Sequence, residues 1–294
     1  MSLAIAMILD ALMGEPKWLW DRMPHPAVLM GRMIGWADTQ FNAGSARKAK
    51  GTVVFVCLCC AAGILAWVLS AFGPILEIVV TAILLAQKSL VQHVRAVANG
   101  LGLGLPSGKQ AVAMIVGRDT RDMDAPAVVR GAVESAAENL SDGIIAPAFW
   151  FLIGGLPGLL IYKITNTADS MIGYMTPRLQ DFGWAAAQFD DVLNWIPARL
   201  TALLMIGPMR FAELRIDAIK HRSPNAGWPE AAMARRLDLA LSGPRAYDGK
   251  LQEFPWVWPS GRKHGTAADV DRACTILWQT WAVALALVVL LTIW

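Results

Sequence analysis

This sequence predicts an all-α, polytopic integral membrane protein with about five spanning or re-entrant helices joined by polar cytoplasmic loops. Three observations carry that expectation. The chain is 55% hydrophobic and only 17% charged, against about 25% charged in an ordinary soluble domain, and its mean hydropathy is +0.44. Several apolar runs approach the roughly 20 residues needed to cross about 30 Å of hydrocarbon. Many of the 13 Trp lie near the ends of those runs, where an interfacial aromatic belt places them. A net charge of +3 is too small to make nucleic acid the main partner.

The elements follow in order. The start, "MSLAIAMILDALMGEP", has no Lys or Arg before its apolar stretch, and Asp10 interrupts it. It reads as a short retained helix rather than a removed signal peptide. Residues 51–73 carry no charge and read as a span. Residues 74–92 form a second, opened by Pro74 and carrying Glu77 inside it. Residues 273–294 form a third. Two runs are less regular: 144–162 contains Pro147 and the break "GGLPG", and 192–213 contains Pro197, Arg199 and Pro208. Such broken helices are tolerated at membrane depth when buried in protein or lining a cavity. The polar stretch 214–272 reads as an extramembrane region of short helices and turns. The whole chain, 1–294, is taken as one membrane-embedded domain, without internal repeats.

Lys and Arg concentrate in 14–50, 88–130 and 210–272, and an excess of these residues marks cytoplasmic loops. The stretch between residues 163 and 191 is poor in them, which alone would place it outside. Cys57, Cys59, Cys60 and Cys274 all lie in apolar segments. The formal C-x-x-C at 57–60 reads as small membrane-helix residues, because redox and metal motifs need a turn or loop. "GLGLPSGKQ" at 102–110 fails as a P-loop: the glycine spacing is one residue too long, and Gln110 stands where Ser or Thr would hold Mg²⁺.

Three polar clusters sit beside or inside apolar sequence. In "ESAAENLSDG" (134–143), Glu134, Glu138 and Asp142 are four apart and share one helix face, with Asn139 beside them. That stripe is either a solvated face or a Mg²⁺ site, since hard cations take carboxylate oxygens. "KITNTADSMIGY" (163–174) sets Asn166 and Asp169 one turn apart. "DDVLNWIPARL" (190–200) puts Asp191, Asn194 or Trp195, and Arg199 on roughly one face. Ionisable groups in membrane segments are costly and so mark function by default, and three clusters within 134–199 point to a shared site. Arg118, Arg121, Lys163, Arg178 and Arg199 are the cationic candidates. Arg suits phosphate because its planar fork donates two parallel hydrogen bonds. Two bland readings stand beside this one: Arg118 and Arg121 pairing with nearby Asp on a turn, and Lys163 snorkelling to the interface. His25 and His221 lie in loops dense in Pro, Gly and Asn, and no His/Cys spacing supports zinc.

The stretches "GEPKWLWDRMPHPAVLMGRMI", "VESAAENLSDGIIAPAFWFLIGGLPG", "YKITNTADSMIGY", "DFGWAAAQFDDVLNWIPARLTALL" and "SPNAGWPEAAMA" with "LSGPRAYDG" resemble, in this order, the cobalamin-biosynthesis CobD/CbiB family. The resemblance covers nearly the whole chain. It implies a multi-pass ligase of the cell (inner) membrane with its site facing the cytoplasm. The activity would be that of an adenosylcobinamide-phosphate synthase. The free propionate of adenosylcobyric acid would be joined to (R)-1-amino-2-propanol phosphate, or to aminopropanol, with ATP as cosubstrate and Mg²⁺ as cofactor. Corrinoid, amino alcohol and lipid bilayer would be the partners, and other cobamide-biosynthesis enzymes could dock on 214–272. With that chemistry in view, Glu134, Glu138, Asp142 and Asp169 are expected to ligate Mg²⁺. Lys163, Asp190 and Asp191 are expected in catalysis, one Asp deprotonating the attacking ammonium. Arg118, Arg121, Arg178 and Arg199 would hold phosphates. Asn139, Asn166 and Asn194, with His25 and Asn225, would bind substrate. Two other classes use similar residues: a Mg²⁺-dependent prenyltransferase of UbiA type, which needs Asp pairs on two helices, and a corrinoid or cation transporter built on broken helices.

Overall fold

The computed structural model describes residues 1–247 and 250–293. In chain order its helices are α1 (Ser2–Met13), α2 (Lys17–Trp20), α3 (Pro26–Phe41), α4 (Arg47–Ser70), α5 (Pro74–Leu84), α6 (Gln87–Leu103), α7 (Leu105–Val112) and α8 (Ala125–Leu140). A π-helical turn, Ser141–Ile145, leads into α9 (Ala146–Ile172), followed by α10 (Trp184–Ile206), α11 (Pro208–Ala218), α12 (Gly227–Leu237) and α13 (Ala267–Ile293). Between α12 and α13 lie four strands of two or three residues, β1 (Leu241–Ser242), β2 (Arg245–Tyr247), β3 (Lys250–Gln252) and β4 (Trp256–Val257). The all-α class holds. The expected short helices and turns of 214–272 are joined by two small antiparallel ladders, β1 with β4 and β2 with β3.

Four helical segments are long and apolar enough to cross a membrane: Arg47–Ser70, Pro74–Leu103, Ala125–Ile172 and Ala267–Thr292. They cover the expected runs at 51–73, 74–92, 144–162 and 273–294. The run 192–213 is different. It is divided between α10 and α11 at Gly207, whose φ of 81° precedes Pro208, and is not among the four. The "GGLPG" break is also real. Gly155 adopts φ 60° and ψ −152° inside α9, a backbone conformation open to glycine and costly for a residue with a Cβ. α4 turns Val53, Ile64 and Trp67 outward, as a lipid-facing helix must. Cys57 and Cys60 are exposed on it, and all four cysteines are free.

The chain forms two compact units. Unit 1 takes Met1–Ala86, Ala146–Asn194 and Leu291–Trp294, and unit 2 takes Gln87–Ile145 and Trp195–Leu290. In unit 1, α4 packs along α9, and α1 against α5. Ile34, Phe55, Ile164, Ala168 and Phe182 share one buried cluster there. His25 caps α3: its Nδ1 accepts the Ala27 N–H at 3.2 Å, and its Nε2 lies 3.1 Å from the Ile83 carbonyl. In unit 2, α8 is almost wholly buried from Val128 to Ala137. The Asp124 side chain accepts the Ala127 N–H at 2.8 Å and Pro126 sits in the first turn, which satisfies a helix start.

Candidate functional site

Unit 1 gathers carboxylates and amides on α9 and α10. Asp190 is 8% exposed. Its Oδ2 accepts from Asn194 Nδ2 at 2.9 Å and its Oδ1 from Asn166 Nδ2 at 3.4 Å. Tyr162, fully buried, donates its hydroxyl to Asn194 Oδ1 at 3.0 Å. Helical spacing explains part of this: 190 and 194 are one turn apart, as are 162 and 166. Asp169 and Asp191 both lie within Coulombic range of Asp190 and of each other. Three like charges in one half-buried place are costly unless a cation or protons join them. Lys163 is half-buried on the same helix as Asp169. Gly173 ends α9 against Asp169: a Cβ there would stand 2.0 Å from Asp169 Oδ1 and 2.7 Å from its carbonyl oxygen.

The segment after α9 is pinned by α3 and α4. Arg178 pairs with Asp38. Asn42 Nδ2 donates to Asp38 Oδ1 at 2.8 Å and to the Arg178 carbonyl at 3.1 Å. Arg47 pairs with Asp181 at 3.2 Å and reaches the Pro177 carbonyl at 3.3 Å. Arg178, expected on a phosphate, here holds its own loop.

Unit 2 places the other candidates differently. Glu134 is a buried anchor. Its Oε2 accepts from Arg118 at 2.6 Å and lies 3.6 Å from Arg245, and its Oε1 accepts the Ser242 N–H at 2.6 Å. Glu138 and Asn139 are exposed, and Asp142 is half-buried in the π turn. Asn139 Nδ2 donates back to the Ser135 carbonyl at 2.9 Å. Arg121 is bidentate on Asp119, its Nη2 and Nε 2.7 and 3.2 Å from Asp119 Oδ2, which pulls the Asp119 carboxyl down to about 2. That matches the bland reading of a solvated turn. Arg199 has Trp195 at 4.4 Å and Trp228 at 4.8 Å from its guanidinium carbon. It donates to the Trp195 carbonyl at 2.7 Å and to the buried Asn225 Oδ1 at 3.3 Å.

The residues fit Mg²⁺ unequally. Glu134 already has two arginines and a backbone N–H on its two oxygens, which leaves no oxygen suited to a cation. Asp169 and Asp191 are hard-oxygen donors of the kind Mg²⁺ takes. Among the described residues no group of three or more His, Cys, Asp or Glu is gathered as a metal cluster. Mg²⁺ commonly binds through one or two carboxylates plus substrate phosphates, so the Asp pair suffices by donor chemistry.

The model of the family described as CobD/Cbib protein matches residues 3–277. This chain belongs to the CobD/CbiB family. It is 46% identical to the cobalamin biosynthesis protein CobD of Sinorhizobium fredii over 98% of this chain and 96% of the relative. With the CobD protein of Brucella anthropi the identity is 45%, over 98% of this chain and 95% of the relative. With that of Rhodobacter capsulatus it is 42%, over 91% and 87%. No solved structure matches. The family and these names support a role in cobalamin biosynthesis. Within this CobD/CbiB chain, spacing alone missed Tyr162, Asp38, Glu230 and Arg245. Their partners are 32 to 140 residues away or lie on other elements, beyond any periodic signal.

Proposed function

We propose that the chain is the ATP-dependent amide ligase of this family. It joins (R)-1-amino-2-propanol phosphate, or the free amino alcohol, to the propionate of adenosylcobyric acid. The observation that carries this reading is the buried Asp190–Asn166–Asn194–Tyr162 network beside Asp169 and Asp191, in a member of a cobalamin-biosynthesis family. A carboxylate and an ammonium form a salt at neutral pH, so the acid needs activation. A propionate oxygen attacks the γ-phosphorus of ATP and ADP leaves. The amine nitrogen then attacks the acyl carbon, the acyl C–O bond breaks, and phosphate departs. Asp190, held by two amides, takes the proton that the ammonium must lose. Asp169 and Asp191 would hold Mg²⁺, which supplies charge neutralisation on the transferring phosphoryl group. Lys163 on α9 places a cation on the helix that carries Asp169. The site faces the cytoplasm, where ATP is; the stretch 163–191 is itself poor in Lys and Arg, so its broken helices re-enter or line a cavity open to that side.

The test is a mass-spectrometric assay on the detergent-purified chain with adenosylcobyric acid, aminopropanol phosphate and Mg-ATP. Wild type is expected to yield adenosylcobinamide phosphate. Asp190→Asn is expected to lose about 100-fold or more in rate, the scale of an acid–base contribution, with its thermal midpoint retained. No product with either amino alcohol refutes the ligase. Full activity in Asp190→Asn refutes the site.

A further inference from the structure

We propose that Arg130, Arg245 and the carboxyl of Glu230, all in unit 2, bind a phosphoryl group of a small-molecule ligand. None of these three belongs to the carboxylate network of unit 1.

The first support is charge. Arg118, Arg130 and Arg245 lie within Coulombic range of one another's neighbour Glu134. Arg118 and Arg245 pair with it directly, so a single buried carboxylate meets three guanidiniums. The other acids are peripheral: Asp124, in range of Arg130, is exposed at the start of α8, and Glu138, in range of Glu230, is exposed as well. More cations stand on the adjoining aromatics. Arg245 lies 5.0 Å and Arg222 5.9 Å from the Phe254 ring centre. Arg130 and Lys263 lie 5.2 and 5.1 Å from that of Trp256. Arg222 and Lys263 are exposed, but Arg118, Arg130 and Arg245 are half-buried, and an excess of half-buried positive charge is favourable only with an anion to balance it.

The second support is independent. Glu230 is 2% exposed, and its Oε2 is buried with no hydrogen-bond partner. Its Oε1 lies 3.4 Å from His221 Nε2. The Ser223 N–H donates to His221 Nδ1 at 3.0 Å, which leaves the ring proton on Nε2, facing Glu230. Burial, then the charges of Glu134 and Glu138, push the Glu230 carboxyl well above its usual range. Burial, then the charge of Arg245, pushes His221 down. Both shifts favour the neutral forms, an acid beside an imidazole. An acid proton with no acceptor in the protein calls for an anionic oxygen. A phosphoryl group has three, and guanidinium forks match them.

The phosphoryl group belongs either to a nucleoside triphosphate or to an amino-alcohol phosphate, and that choice rests on the ligase reading. Equilibrium dialysis of the full-length, detergent-purified chain without corrinoid separates the two questions. The probes are labelled Mg-ATP and labelled 1-amino-2-propanol phosphate, each with inorganic phosphate as competitor. Arg245→Gln and Glu230→Leu are each expected to weaken at least one probe about tenfold or more, the scale of a hydrogen bond to a charged group, whereas Glu230→Gln, which keeps a neutral donor in place of the acid proton, is expected to retain binding. Arg210→Gln, an exposed arginine elsewhere, is expected to leave both unchanged. The probe that weakens identifies the source. Leu has about the volume of Glu and no donor, so a folded Glu230→Leu protein with unchanged affinity for both probes overturns the proposal. Wild type that binds neither probe at millimolar concentration overturns it too. Absence of ligase product with binding intact overturns only the ligase reading.

Discussion

Replacing Glu134 by Gln tests whether this residue anchors unit 2 or serves as a metal ligand. The substitution keeps volume and an acceptor for the Ser242 N–H, removes the charge, and sets an amide N–H₂ where Arg118 had an acceptor. Arg118, with 8% of its side chain exposed, then loses its 2.6 Å partner, and Arg245 loses one at 3.6 Å. Breaking a buried ion pair from one side costs about 3–5 kcal/mol, because the remaining charge stays buried and unpaired. Retention of the Ser242 bond puts Glu134→Gln near the lower end, about 3 kcal/mol. For a unit of this size that is a fall of about 6–12 °C in the unfolding midpoint. The assay is thermal unfolding of the detergent-solubilised chain, with hydrogen exchange at the Ser242 amide as a local readout. The double variant Glu134→Gln/Arg118→Met should recover much of the loss, since no charge is stranded. An unchanged midpoint in Glu134→Gln, with activity lost and restored by excess Mg²⁺, would refute the anchor and return Glu134 to the metal.

Two further outcomes follow from other parts of the molecule. Glu230 titrates above its ordinary value of 4.5 in the fold, so the unfolded chain releases its proton first. Its contribution is therefore complete below pH 4.5 and is lost as pH rises through the folded value. Wild type should lose stability relative to Glu230→Gln as pH is raised from about 5 to about 8, above the ordinary carboxyl range, and a constant difference over that range would contradict the burial argument. Gly173→Ala places a Cβ 2.0 Å from Asp169 Oδ1 and must move that carboxylate. Ligase turnover should drop by about tenfold or more, with a loss of stability beside it because the same Cβ stands 2.7 Å from the Asp169 carbonyl oxygen, and wild-type turnover would show that the position of Asp169 is unimportant.

Much of the architecture was written in the local pattern. Apolar runs of span length foretold three of the four membrane-length segments, and the less regular run 144–162 foretold the fourth together with its break at Gly155. Within a helix, spacing also worked: Asp190 and Asn194, four apart, do meet, although the expected partner was Asp191. Spacing failed where a partner comes from another element. The stripe of Glu134, Glu138 and Asp142 suggested one metal face, but Glu134 is engaged by Ser242, 108 residues away, and Asp142 falls in a π turn that breaks the fourfold count. Arg178 read as a phosphate binder because nothing local shows that Asp38, 140 residues earlier, is its counter-ion. Arg199 carried the same expectation, and its two indole neighbours are visible only once Trp228 is placed. A periodic pattern reports which face a residue occupies, and is silent about what that face meets.

The alternation of the chain between its two units has a consequence for synthesis. The path leaves unit 1 after Ala86, returns at Ala146, leaves again after Asn194, and comes back at Leu291. Neither unit is a contiguous stretch, so the ribosome delivers each in instalments. The Arg118–Glu134 pair emerges early, yet its companions Ser242 and Arg245 are made about a hundred residues later. Until then the α8 carboxylate lacks part of its hydrogen-bonding shell, and closing the intervening loop adds an entropic cost that grows only slowly with its length. Deleting one unit as a block would sever the other, whereas a single nick between α12 and α13 leaves the early pieces of both in one fragment. Gene fragments split there and expressed together are the natural way to ask which unit matures first.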